Sequence, residues 1–149
     1  MTHLDESVLR NMGDEALGTI TSCWYSAELD NPINKEFAAN FRKEAGYDPG
    51  FYGAATYANG AVLEAAIKAI NGKVEDKDAL MKALRATKVE TCRGPVSFDE
   101  YGNVIGNVYI RKVIRKEGRL VNSVIKTYPN LSQFWTYNSK EFLANPVYS

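Results

Sequence analysis

The sequence predicts one domain that mixes helices and strands, of α/β or α+β type, and three observations predict it. A long, smooth helical pattern runs from Asp48 to Gly72, DPGFYGAATYANGAVLEAAIKAING. Capped amphipathic patterns flank it, one opening at Asn31 and one at Asp76. Runs rich in β-branched and aromatic residues lie at Gly18–Tyr25 and, as a hairpin, beyond Val104. A chain of 149 residues, 45% apolar and 24% charged, can enclose one sizeable core.

Taken in order, residues 4–12 predict a short helix with Asp5 as N-cap and Val8 and Met12 on one side, broken by Gly13-Asp14. Gly18 to Tyr25 reads as a strand, and Ser26 to Asn31 as a polar loop. Asn31 is a good N-cap with Pro32 at the first helical position. Ile33, Phe37, Ala38 and Phe41 form that helix's apolar stripe, Arg42, Lys43 and Glu44 face water, and Gly46 ends it. Asp48-Pro49-Gly50 is a turn signal. The helix that follows carries a stripe of Ala55, Ala58, Val62, Ala66, Ala69 and Ile70. Small residues flank the stripe, Glu64 and Lys68 mark a solvent face, and Asn71-Gly72 closes it. So smooth a helix is expected to be the central, least exposed one. Asp76 caps DKDALMKALRAT, with Leu80, Met81 and Leu84 expected to be buried. Arg93-Gly94-Pro95 breaks the pattern, Val96-Ser97-Phe98 is a short strand, and Asp99 to Asn103 a turn. Val108, Ile110, Val113 and Ile114 lead to a turn at Lys116-Glu117-Gly118, and Leu120, Val121, Val124 and Ile125 return. Apolar residues on both sides of these strands predict cover on two faces. The tail from Tyr128 is aromatic, with a short helix over Ser139–Ala144.

Composition narrows function. A formal net charge of zero gives no bulk field for nucleic acid or an anionic membrane. No apolar run approaches the roughly 20 residues that span a bilayer, and the polar N-terminal stretch has no secretory h-region. Cys23 and Cys92 are far apart and His3 lies in a tail, so neither a zinc site nor any other cofactor is expected. Free buried thiols are the expectation for both cysteines. No Gly-x-Ser-x-Gly elbow exists, Gly13-x4-Gly18 lacks the residues of a phosphate loop, and Asp99-Glu100 sits in a turn where acids solvate. The chain is not expected to be an enzyme. Arg111, Lys112, Arg115, Lys116 and Arg119 read as a solvated, charge-protected strand edge. Phe51 and Tyr52, at the helix mouth, either plug the core or line a cleft suited to an anionic apolar ligand. Trp24 and Tyr25 share that ambiguity. Phe134, Trp135 and Tyr137 cover surface.

Four blocks carry a resemblance. They are Gly18-Thr-Ile-Thr-Ser with its aromatic end, the run DNPINKEFAANFRKEAGYDPGFYGAATYANGAVLEAAIKAING, DKDALMKALRA with RGPVSFDEYGN, and VYIRKVIRKEGRLVNSVI. In the third, Gly94-Pro95, Phe98-Asp99 and Gly102 fall at a family's spacing. In order and spacing the chain resembles the C-terminal part of periplasmic substrate-binding proteins of ABC transporters, branched-chain amino-acid type. The resemblance implies a partial type I periplasmic-binding fold, truncated from both lobes, ending in a β-hairpin. Residues 1–25 would end the C-terminal lobe, residues 26–106 would belong to the N-terminal lobe, and residues 107–149 would be the hinge-crossing hairpin and tail. It places Tyr52 in the cleft wall, five residues before Tyr57, with Tyr25 at the hinge mouth and Phe51 beside them. It implies an amino acid or small aromatic acid as ligand, an ABC permease as partner and a periplasmic parent. The phrases SCWY and SQFW are similar to soil-bacterial members that carry aromatic acids. The two cysteines would lie in different lobes. Exposed edges would then favour a homo-oligomer, domain-swapped or two-fold. A ligand-sensing domain of a regulator or receptor with the same fold is the alternative, or an oligomerising piece without a ligand.

Overall fold

The computed structural model describes residues 4–145. Asp5 caps a single helical turn, α1 (Glu6–Leu9), and a 3-10 turn follows at Asp14–Ala16. Strand β1 is Ile20–Cys23, shorter than the predicted run. Helix α2 (Pro32–Ala45) starts where predicted: the Asn31 side chain accepts from the Asn34 N–H, and Gly46 leaves the helix at φ 80°. Helix α3 spans Phe51–Ala69 and α4 spans Lys77–Ala86, the latter capped by Asp76. Then come β2 (Val89–Thr91), β3 (Gly94–Phe98), β4 (Val104–Lys116), β5 (Arg119–Leu131) and α5 (Ser139–Ala144).

All five strands join one antiparallel sheet with β4 as its spine. Strand β5 runs along one edge of β4. On the other edge β3 pairs first, Val96 opposite Gly106, and β1 follows, Cys23 opposite Tyr109 and Ile20 opposite Lys112. Glu117 and Gly118 both take positive φ, 51° and 77°, the two-residue turn that matches the twist of a hairpin. The register slips twice along β5, near Ile125 and near Pro129-Asn130. Strand prolines are confined to edges and to such irregularities, and β5 is an edge strand.

Two apolar clusters sit along the spine. The larger gathers Tyr25, Leu29, Phe37, Ala54, Cys92 and Tyr109 under α2 and α3. The smaller joins Leu9, Ala16 and Val113, with Leu120 against it. Asn34 holds the crossing loop onto the larger one. Its Nδ2 donates to the carbonyls of Ala27 and Leu29 at 3.0 Å, and its Oδ1 accepts from the Tyr25 hydroxyl at 3.0 Å. No helix among the described residues is long and apolar enough to cross a membrane.

Several expectations are corrected. Helix α3 buries one stripe, Ala54, Ala58, Val62 and Ala66, whereas Ala69 is exposed and Tyr57 and Leu63 face outward. It packs along one side only, and so many of its residues are small that the sequence stripe did not discriminate faces. On α4, Met81 is 50% exposed and no residue is fully buried. Strand β2 was not predicted; Cys92-Arg93 is the turn of a β2–β3 hairpin. The long hairpin buries Tyr109, Arg111 and Val113 on one face, while Ile125 lies exposed, so it is not covered on both faces. Within the presumed basic edge, Arg111 is wholly buried.

Candidate functional site

The candidate site lies where three segments meet: the end of β1, the start of α3 and the β2–β3 turn. Gly50, extended at φ −86° and ψ −179°, leads into α3 and leaves its first N–H groups without a side-chain cap of their own. Asp5 supplies one from α1: its Oδ1 accepts from the Phe51 N–H at 2.9 Å, and its Oδ2 accepts from the Ser7 hydroxyl at 2.8 Å. Asp5 is 3% exposed. A Cβ on Gly50 would collide with its Oδ2, so the close approach requires glycine here.

Above this cap stand three rings. Phe51 meets Trp24 edge to face, centroids 5.6 Å apart, and its ring lies 4.1 Å from that of Tyr52. Such contacts add to the apolar area that the rings bury. Tyr52 is 71% exposed. The Arg93 guanidinium lies over the Trp24 ring, 4.1 Å from its centroid. Desolvation by burial lowers the Arg93 pKa from its ordinary value.

A second polar cluster lies behind the wall. Arg111 donates from Nη1 to the Tyr25 carbonyl at 2.7 Å and from Nε to Thr21 Oγ1 at 3.2 Å, and its Nη1 is 3.6 Å from Glu6 Oε1. Burial pushes the Glu6 carboxyl up to about 8, with Arg111 opposing. The same cause, burial, raises the Tyr25 hydroxyl and the thiols of Cys23 and Cys92, Cys92 to about 11. Both thiols are free and buried. No group of three or more His, Cys, Asp or Glu side chains suited to a metal occurs among the described residues. The arrangement can stack an apolar ring and offer a cation.

Of the residues singled out from the sequence, Phe51 and Tyr52 come together at the mouth of α3. Tyr25 does not join them: it is fully buried, and its hydroxyl is taken by Asn34. Sequence reasoning missed Arg93, read as part of a turn, and Asp5 as a partner of α3. Neither has a local signal, since Trp24 and Phe51 lie far from them along the chain.

Residues 1–119 match the periplasmic binding protein family. The chain belongs to that family. Among curated relatives, this periplasmic binding protein chain is 32% identical over 127 residues to Leu/Ile/Val-binding protein homolog 6 of Brucella abortus, covering 83% of this chain and 32% of the relative. Among solved structures, it is similar to a solute binding protein of an ABC transporter from Rhodopseudomonas palustris BisB5 in complex with 3,4-dihydroxybenzoic acid. That match has 37% identity and a TM-score of 0.82, over 87% of this chain and 36% of the other. An ABC transporter substrate-binding protein from Sphaerobacter thermophilus matches at 32% identity and a TM-score of 0.80, over 85% and 35%. The chain spans about a third of the length of these relatives. The fold is therefore part of a periplasmic binding protein, and family members of this kind bind solutes.

Proposed function

We propose that this chain is the portion of an ABC-importer solute-binding protein that carries the hinge strands and one wall of the ligand cleft. The wall is Trp24, Phe51 and Tyr52, and its ligand is a small carboxylic acid with an aromatic or branched apolar body. The observation that carries this is the ring cluster at the start of α3, with Tyr52 left 71% exposed on it. A large aromatic side chain held outward on a fixed helix end is a binding surface before it is a packing element. Membership of the periplasmic binding protein family supports the transport role, a periplasmic location and an ABC permease as partner. The ligand of the Rhodopseudomonas relative favours an aromatic acid. Tyr25 serves as support beneath the wall. The two apolar clusters support a two-lobe reading: α1, the 3-10 turn and the hairpin's turn on one side, and α2 to α4 with β2 and β3 on the other. Binding requires no bond-making step.

One wall without its opposite gives weak binding, because a ligand then gains half the buried area and few polar partners. Titration with benzoate, p-coumarate and leucine is the test, followed by calorimetry and by backbone amide NMR shifts. The aromatic acids should bind with millimolar dissociation constants, about −4 kcal/mol, and shift Tyr52 and Phe51, and Tyr52→Ala should weaken this binding. Shifts that ignore Tyr52→Ala would refute the wall. Selective binding of leucine would replace an aromatic acid with an aliphatic one.

A further inference from the structure

Arg93 is an anomaly among the arginines that are partly or wholly buried. Arg42 and Arg119 both pair with Asp48. Arg111 has the Tyr25 carbonyl and Thr21 as acceptors and Glu6 3.6 Å away, although its Nη2 too is unpartnered. The Arg93 guanidinium has no carboxylate partner and no hydrogen-bond acceptor among the described residues, and its buried Nε is unpartnered. Besides desolvation, the groups acting on its charge are Tyr109, Cys23 and Cys92, none of them a carboxylate. A guanidinium that has lost part of its hydration without gaining an anion keeps its donors free for one, which would offset the desolvation cost. The Trp24 ring lies beneath it, its centroid 4.1 Å from Cζ, and a planar fork over an aromatic face is suited to take both oxygens of a carboxylate. The backbone at Arg93 is pinned independently of the side chain. Its carbonyl accepts from the Tyr109 hydroxyl at 2.8 Å, and its N–H donates to Thr91 Oγ1 at 3.2 Å. Trp24 in turn touches Phe51, so cation and ring wall are continuous.

We infer that Arg93 is the carboxylate-binding residue of this wall: an aromatic acid lays its ring along Phe51 and Tyr52 and turns its carboxylate to the Arg93 fork. The inference rests on the solute-binding reading above and assigns the residue that takes the ligand's carboxylate. A monodentate ammonium in place of the fork would bind less well, since it lacks the planar pair of donors.

The test compares benzoate with benzamide on the full chain, by amide and indole NMR titration, in the unaltered protein, Arg93→Gln, Arg93→Lys and Tyr52→Ala. The unaltered protein should prefer benzoate roughly tenfold or more. Arg93→Gln should erase that preference, with the larger loss falling on benzoate, and Arg93→Lys should fall between. Tyr52→Ala should weaken both ligands alike. A benzoate preference that survives Arg93→Gln, with Tyr52→Ala still weakening both, would overturn the role of Arg93 and leave the ring wall standing. Absence of benzoate shifts at 20-fold the expected millimolar constant, roughly −4 kcal/mol on the same scale, would overturn both. Because Arg93 is held by backbone bonds, an unchanged amide spectrum of Arg93→Gln outside the site would confirm that the fold is intact.

Discussion

The contact between Asp5 and the start of α3 makes a sharp prediction about coupling. Gly50 has backbone angles that alanine adopts without strain, so any cost of Gly50→Ala comes from what its Cβ meets. It meets the Asp5 carboxylate, with Cγ at 2.8 Å and Oδ1 at 3.0 Å. The carboxylate can move aside only by releasing the Phe51 N–H and the Ser7 hydroxyl. Losing a charged N-cap bond in a buried setting costs about 1–3 kcal/mol. Gly50→Ala alone should therefore destabilise by about 2 kcal/mol, as should Asp5→Ala, on the same scale of cap loss. In the double variant there is no carboxylate left to displace, and the new methyl fills part of the space. The pair should cost about what Asp5→Ala costs, giving a coupling near 2 kcal/mol. Urea unfolding with an unchanged m-value measures each corner of the cycle. Effects that add to within about 0.5 kcal/mol would show that the two groups do not compete.

Three further outcomes are expected. Glu6 holds its proton more tightly folded, near pKa 8, than at its ordinary 4.5; between those values the unfolded chain releases the proton first, so stability falls as pH rises, by up to about 1.4 kcal/mol per pH unit, and Glu6→Gln should flatten that slope in urea titrations at pH 5 to 8. Ala66 is fully buried on the α3 stripe, so Ala66→Leu should overpack it and cost about 1–3 kcal/mol; an unchanged melting temperature would contradict the packing. Ile20, Tyr52, Trp135 and Tyr137 are each more than 60% exposed, which favours self-association; light scattering should return a dimer, and a stable monomer would count against it.

Caps and turns were legible in the sequence because each is a local signal. Asp5, Asn31, Asp76, Gly46 and the Glu117-Gly118 turn all stand where their side chains or dihedrals demand. Faces were less legible. On α3, alanine and glycine occupy several sides, so apolar periodicity could not choose between Ala54 and Ala55. Strand β2 is too short for a pattern, and Val89-Glu90-Thr91 becomes a strand only by pairing with β3. Of the site, Phe51 and Tyr52 were visible as an aromatic pair at a helix start. Tyr25 was visible too, but its neighbour Trp24, not Tyr25, is the ring that reaches the wall, since adjacent residues of an extended segment point to opposite sides. Arg93 and Arg111 were hidden because what distinguishes them is long-range: one lies over Trp24, the other inside a cluster assembled from α1, β1 and the crossing loop.

That cluster lies between the two apolar clusters of the fold. Tyr109, Arg111 and Val113 are all buried on the same side of β4. Tyr109 enters the larger apolar cluster and Val113 the smaller, and Arg111 sits between them. The joint between the two clusters is therefore polar. Its hydrogen bonds run from one guanidinium to the Tyr25 carbonyl and Thr21, with Glu6 Oε1 3.6 Å away, and that Oε1 accepts from the Ala27 N–H at 3.3 Å. Apolar packing is short-ranged and loses contact with small gaps, so a continuous core across this point would resist bending. Hydrogen bonds to a guanidinium with five donors can exchange partners as the angle changes. The β5 irregularity near Ile125, opposite Ile110 and Arg111, loosens the ladder at the same level. The polar joint and the slipped ladder thus fall at one level of the spine, and Asp5, next to Glu6 in the chain, caps the start of α3, where Phe51 and Tyr52 stand.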